Sequence, residues 1–156
     1  MIGAPVIGLV AGEASGDLLG AHLVEALKAR RPDFRFTGIA GPRMIAAGVN
    51  ALFPMEKLAV RGYIEVLRHY LEIVSIRRRV KQHFLAQPPA VFIGIDAPDF
   101  NLDLELALKQ AGIPVIHYIN GGATLLQSMK RAGADVIGLD WRIEIDVARR
   151  LLGEDV

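Results

Sequence analysis

Val91-Phe92-Ile93-Gly94-Ile95, introduced by Pro89 and followed at once by Asp96-Ala97-Pro98-Asp99-Phe100-Asn101, decides the fold. The run is apolar without alternation, so neither of its faces expects water. Strands of that kind belong to parallel sheets covered on both sides. Working outward, Asn101 can cap a helix Leu102 to Gln110 that Gly112 ends, and Pro114 to Tyr118 (PVIHY) supplies the next strand. Gly121 to Arg131 then reads as helix, Ala134 to Leu139 as strand and Ile145 to Leu152 as a last helix with Gly153 behind it. On the N-terminal side, Val6 to Ala11 (VIGLVA) is an apolar strand feeding a helix from Gly16 to about Arg30. Phe34 to Ile39 makes a second strand, Arg43 to Ala47 a short helix closed by Gly48, and Ala51 to Phe53 a brief edge strand. The longest helical pattern runs from Tyr63 to about Ala86, with an apolar face wider than one stripe.

Strand and helix alternate throughout, which calls for a three-layer α/β domain with an open parallel sheet. The expected strand order is 3-2-1-4-5-6, Rossmann-like, with Ala51 to Phe53 as strand 3. If that segment is loop, a flavodoxin-like sheet of five strands, 2-1-3-4-5, is the alternative. The 156 residues hold no internal repeat and no linker-like stretch, so residues 1–156 are expected to form a single domain. The composition, 52% hydrophobic and 22% charged, is that of a well-packed globular chain. A formal net charge of +1 sets up no global field that draws nucleic acid or an anionic membrane. There are no cysteines, which excludes disulfides and thiolate chemistry. The N-terminal sequence has no leader pattern and no apolar run approaches the roughly 20 residues of a spanning helix, so a cytoplasmic location is expected.

In such a sheet, ligands bind beyond the carboxyl ends of the strands. The loop after the first strand is Gly12-Glu13-Ala14-Ser15-Gly16-Asp17. Its small residues allow a tight turn into a helix N-terminus, but it is neither a dinucleotide fingerprint nor a phosphate loop. Glu13 and Asp17 favour hydroxyls or a sugar over a phosphate. The plainer alternative is that Ser15 caps the helix and Asp17 complements its dipole. In the loop after Val91–Ile95, Asp96 is the candidate general base, and Asp99 and Asn101 are read as turn and cap residues. A metal site is not expected, because spacing supplies no third hard ligand beside these acids. No cofactor is expected either. Asp140 is a second rim carboxylate or else a helix cap. His22, His117 and Trp141 are read as packed or capping residues.

The stretch Arg77-Arg78-Arg79 with Lys81 and His83 is a basic helix face. With its interleaved apolar residues it offers a surface for an anionic membrane or another protein, the simpler reading is a solvated face, and nucleic acid is not expected because no aromatic platform accompanies the charges.

Ala11-Gly-Glu-Ala-Ser-Gly-Asp-Leu-Leu-Gly-Ala, Gly38-Ile-Ala-Gly-Pro-Arg-Met, Leu58-Ala-Val, Glu65-Val-Leu and Gly94-Ile-Asp-Ala-Pro-Asp-Phe-Asn, closing with His117-Tyr118, resemble lipid-A-disaccharide synthase. The resemblance covers residues 1 to about 118. It implies a two-domain glycosyltransferase of lipid A biosynthesis, peripheral at the inner membrane, that joins a UDP-activated diacylglucosamine to an acylated sugar phosphate. It places Glu13, Ser15, Gly16 and Asp17 at the substrate cleft, makes Asp96 the general base, and makes the helix after Gly62 a membrane-facing patch. Arg61, Arg68 and His69 are polar in that patch and argue against membrane contact.

Gly121-Gly-Ala-Thr-Leu-Leu, Ala132-Gly-Ala-Asp-Val-Ile-Gly-Leu-Asp-Trp-Arg and Ala148-Arg-Arg-Leu-Leu-Gly resemble instead a fragment of uroporphyrinogen decarboxylase, a (β/α)8 barrel, over about 119 to 156. Two unrelated resemblances imply an engineered chimera, a designed scaffold without catalytic activity. The alternative is a synthase-like N-terminal domain that retains sugar or glycolipid acceptor binding. A barrel strand left as a sheet edge also implies self-association.

Overall fold

The computed structural model describes residues 3–58 and 65–153, the side chains of 65–68 excepted. Arg61, Gly62 and Tyr63 lie outside the described residues. Six strands, β1 (Val6–Ala11), β2 (Arg35–Ala40), β3 (Val49–Pro54), β4 (Val91–Ile95), β5 (Val115–Tyr118) and β6 (Val136–Gly138), form one parallel sheet. Their order is β3-β2-β1-β4-β5-β6, the predicted one.

Alternate residues of the strands feed two different cores, as the strand period of two requires. Leu9, Ile93 and Ile95 pack under α1 (Ala14–Arg30) and α2 (Pro42–Ala47), against Ala21, Val24 and Met44. Val10, Phe92 and Val115 face the other way, against Ile76, Val80 and Phe84 of α3 (Glu65–Ala86) and Leu104 and Leu108 of α4 (Pro98–Gln110). A third cluster, built on Ile119, Leu126, Met129, Ala148 and Leu152, ties α5 (Leu126–Arg131) to α6 (Ile145–Leu152) beside β6. The wide apolar face of α3 is therefore buried in its second half, whereas Tyr70 and Leu71 in its first half are exposed.

Three elements differ from the expectation. β3 is a full strand of six residues, which removes the five-stranded alternative. Gly48, at φ 107°, ends α2 abruptly enough for the strand to start at the next residue. Helix α4 starts a full turn before Leu102, because Asp96 and Ala97 both adopt left-handed backbone, φ 55° and 45°, and swing Pro98 into the first helical position. Asn101 is thus inside the helix and is not its cap. The helix read from Gly121 is split into a 3-10 turn, Gly122–Leu125, and α5.

The chain leaves β1 toward β2 on one side and leaves β4 toward β5 on the other. The loops after β1 and β4 consequently diverge at adjacent strand ends, where an open parallel sheet presents its crevice.

Candidate functional site: the crevice beyond β1 and β4

A cleft of about 1010 Å³ opens at this switch point. Gly12, Glu13, Ala14 and Ser15 form one wall. Met55, Leu58, Tyr70, Ile73, Val74 and Phe100 form an apolar wall opposite, with Arg77 and Asp99 at its side. The two loops touch closely: a β-carbon on Gly12 would lie 2.5 Å from that of Ala97. Gly16 is buried for a similar reason, since a β-carbon there would approach Ile95 Cγ2 at 3.2 Å and Asp96 Oδ2 at 3.4 Å.

Asp96 lies just behind the cleft, 7% exposed. The Asn120 amide donates to its Oδ1 at 2.8 Å, and the Ser15 hydroxyl faces its Oδ2 at 3.4 Å. The structure thus brings Ser15 and Asp96 together, with Gly16 beneath them, and leaves Glu13 exposed at the mouth. Ser15 makes no capping hydrogen bond, and the α1 cap position is Glu13.

Asp17 points elsewhere. It is 2% exposed, and its two oxygens accept the Arg43 and Met44 amides, each at 3.0 Å. A carboxylate in that place satisfies two of the free amides that begin α2 and meets the positive end of its dipole. Gly41 leaves the room, because a β-carbon there would fall 2.5 Å from Asp17 Cγ. Asp17 lies in the first turn of α1, as the dipole reading expects, and its carboxylate also meets the start of the next helix.

Asp140 is also committed to backbone. It accepts the Gly121 amide and, at 2.9 Å, the Arg142 amide, which hold its carboxyl below the ordinary value. Arg142 Nη1 bridges Asp140 Oδ2 at 2.7 Å and Asn120 Oδ1 at 2.8 Å. Asn120 therefore links the β6 loop to Asp96, a connection that nothing in the local sequence signals. Trp141 is 85% exposed, with the Arg142 guanidinium 4.9 Å from its ring centroid. His22 is exposed on α1.

The basic stretch is not one solvated face. Arg77 binds the Asp99 carbonyl at 2.9 Å and Asp103 at 2.8 Å, and Arg79 lies over the Phe53 ring at 4.9 Å. His117 is fully buried against Glu105 of α4, a pairing the sequence reading missed. Its only local signal is a Glu four residues after Asn101, on the helical face that carries Leu104 and Leu108. Among the described residues no helix is long and apolar enough to cross a membrane, and no group of three or more acids or histidines is placed to hold a metal ion.

A family model described as lipid-A-disaccharide synthetase matches residues 7–123, three quarters of the chain. The chain belongs to this family. It is 64% identical over 116 residues to the lipid-A-disaccharide synthase of Methylobacillus flagellatus, covering 74% of this chain and 31% of that protein. The synthase of Chromobacterium violaceum is 58% identical over 118 residues, 76% of this chain and 31% of its own length. The chain thus spans about three tenths of the length of the curated synthases it matches. Two solved structures share the fold. A glycotransferase of kitacinnamycin has a TM-score of 0.53 at 19% identity, over 84% of this chain and 37% of the other. Acinetobacter baumannii MurG has 0.53 at 16%, over 85% and 40%.

A uroporphyrinogen decarboxylase model matches residues 103–156, about a third of the chain. Its match starts inside α4, and the lipid-A-disaccharide synthetase match continues past Tyr118 to residue 123, so the two overlap from 103 to 123 instead of meeting at a seam. The expectation of an engineered, designed chimera is therefore wrong. Identity of 54–64% with synthases of several bacteria marks a natural member of the lipid-A-disaccharide synthetase family.

Proposed function

We propose that this chain is the N-terminal portion of a lipid-A-disaccharide synthase and that its crevice binds an acylated sugar. The observation that carries this reading is the divided lining of the cleft. The Gly12–Ser15 loop offers backbone and hydroxyl groups suited to a sugar, and Met55, Leu58, Tyr70, Ile73, Val74 and Phe100 offer an apolar wall suited to an acyl chain. Arg77 stands at the apolar side, where an anionic substituent on the sugar would meet it.

Asp96 has the geometry of a general base set behind the binding loop, with a hydroxyl neighbour in Ser15 and an amide in Asn120 that fix its orientation. In the proposed reaction its carboxylate takes the proton of the acceptor hydroxyl. That oxygen forms the new bond to the anomeric carbon of a UDP-activated sugar, and UDP leaves with the electrons of the broken C–O bond. Glu13, at the mouth, and Ser15 are proposed to contact the acceptor sugar. Asp17 is proposed to act on it only indirectly, by holding α2 against α1.

The test is a titration of the 15N-labelled chain with an acylated glucosamine phosphate, followed by amide shifts. Perturbation of the amides of residues 12–15, Ala97, Asp99 and Phe100, absent with the unacylated sugar phosphate, is expected. Shifts spread over the surface, or none at these loops, would sink the reading.

A further inference from the structure

Gly94, next to the C-terminal end of β4, marks a polar site inside the core. A β-carbon on it would collide with Glu105 Oε1 and lie 2.9 Å from His117 Nδ1 and 3.2 Å from Asn101 Cγ. The three side chains therefore converge on a patch that only glycine leaves open. His117 comes from β5, paired directly opposite Gly94, and Asn101 and Glu105 come from successive turns of α4. All three are fully buried, and His117 Nδ1 is bonded to Glu105 Oε1. Asn101 Oδ1, Glu105 Oε2 and His117 Nε2 have no protein partner among the described residues.

A core of this kind has cheaper solutions. Polar groups taken from water and left partly unsatisfied cost free energy that apolar side chains of similar size would not. Burial already pushes the Glu105 carboxyl above its ordinary value, against the pull of His117. The surroundings on α4, Phe100, Leu104 and Leu108, are apolar, so the helix face has no need of these groups for packing.

What the cluster touches is the Asp96 corner. Asn101 Nδ2 donates to the Asp96 carbonyl at 2.9 Å. Asp96 and Ala97 are the only non-glycine residues with positive φ among those described, 55° and 45°. Two consecutive L-residues in left-handed backbone cost on the order of 1 kcal/mol each and persist only where the surroundings hold them. This corner is what sends the Asp96 carboxylate back toward Ser15 and the Asn120 amide.

We infer that the buried Glu105–His117 pair, acting through Asn101, is a positioning device for the Asp96 carboxylate. Glu105 and His117 clamp each other across β5 and α4, their packing fixes the turn of α4 that bears Asn101, and Asn101 holds the Asp96 carbonyl in the strained corner. That the positioned group is a catalytic base rests on the proposed function, but the positioning itself does not.

The test uses the ligand-free chain, so it stands apart from sugar binding. The Asn120 amide, bonded to Asp96 Oδ1, reports the position of the carboxylate through its proton shift and its hydrogen exchange. In Glu105→Leu this amide is expected to move upfield and to exchange about tenfold faster, while amides of β1 and β2 keep their rates. Glu105→Gln, which keeps the shape and an oxygen for the bond, is expected to restore the Asn120 signal. Asn101→Ala, which leaves the Glu105–His117 pair in place, is expected to reproduce the loss even if Glu105→Leu does not fold. If Glu105→Leu or Asn101→Ala lowers the unfolding midpoint but leaves the Asn120 amide at its original shift and rate, the cluster is only core and the inference is overturned.

Discussion

Replacing Asp17 by alanine should unfold the chain more easily without touching the cleft wall. The carboxylate accepts two amides at the start of α2, both at 3.0 Å, and one of these bonds is fully buried. Loss of a helix cap costs about 0.5–2 kcal/mol, and an amide stranded in a buried place about 1–3 kcal/mol. Together the expected loss is about 3 kcal/mol, or a fall in Tm of about 6–12 °C for a chain of this size. Guanidinium unfolding followed by circular dichroism at 222 nm measures it. Gly41 supplies an internal check. Gly41→Ala alone forces a β-carbon to 2.5 Å from Asp17 Cγ and should cost about 1–3 kcal/mol. In the Asp17→Ala background that atom is gone, so the same substitution should cost almost nothing, and the cycle should show a coupling of at least about 1 kcal/mol. A loss under about 0.5 kcal/mol for Asp17→Ala, or strictly additive single and double variants, would refute the assignment of Asp17 as the α2 cap.

Two further outcomes follow from the rim and the sheet edge. Ala97→Gly should stabilise the chain by about 1 kcal/mol, because it relieves a left-handed alanine at φ 45°, and it should also rescue Gly12→Ala, whose new β-carbon would otherwise meet Ala97 at 2.5 Å; thermal melts of the single and double variants test both. Asp135 bonds Lys109 and, at 2.9 Å, the Val115 amide, which hold its carboxyl below the ordinary value. A depressed folded value contributes stability above the unfolded value and loses it as pH falls through the folded one. Asp135→Asn should therefore be less stable than the parent at pH 7, with the gap closing below about pH 4 in urea melts; a gap independent of pH would contradict the pairing.

The alternation of apolar strands and amphipathic helices is local information, and it pointed to six strands in the observed order and to the two loops that frame the crevice, while leaving β3 and with it a five-stranded sheet open. Steric rules for parallel β-α units leave few topologies once that alternation is known. Asp96 and Ser15 were legible as rim residues for the same reason: each follows a strand. What a side chain does in the rim was not legible, because its partners come from strands adjacent in space and distant in sequence. Asp17 was legible as part of a binding loop or as a complement to a helix dipole, and only β2 brings the start of α2 beside it. Asp140 was legible as a rim carboxylate or a helix cap, and only the packed sheet brings the Gly121 amide to it. Asn101 looked like a cap because the left-handed corner at Asp96 and Ala97, held by contacts from α4 and β5, could not be read from residue types that normally avoid it. Strand and helix periodicity is shared by many α/β proteins, so it determines the fold class, and only longer residue-by-residue agreement separates one family from another. Sequence alone thus pointed to the sheet and to the loops that frame its crevice. The tertiary structure decided which carboxylates face the cleft and which are spent on the backbone, because hydrogen bonds are settled by distances that only the packed sheet sets.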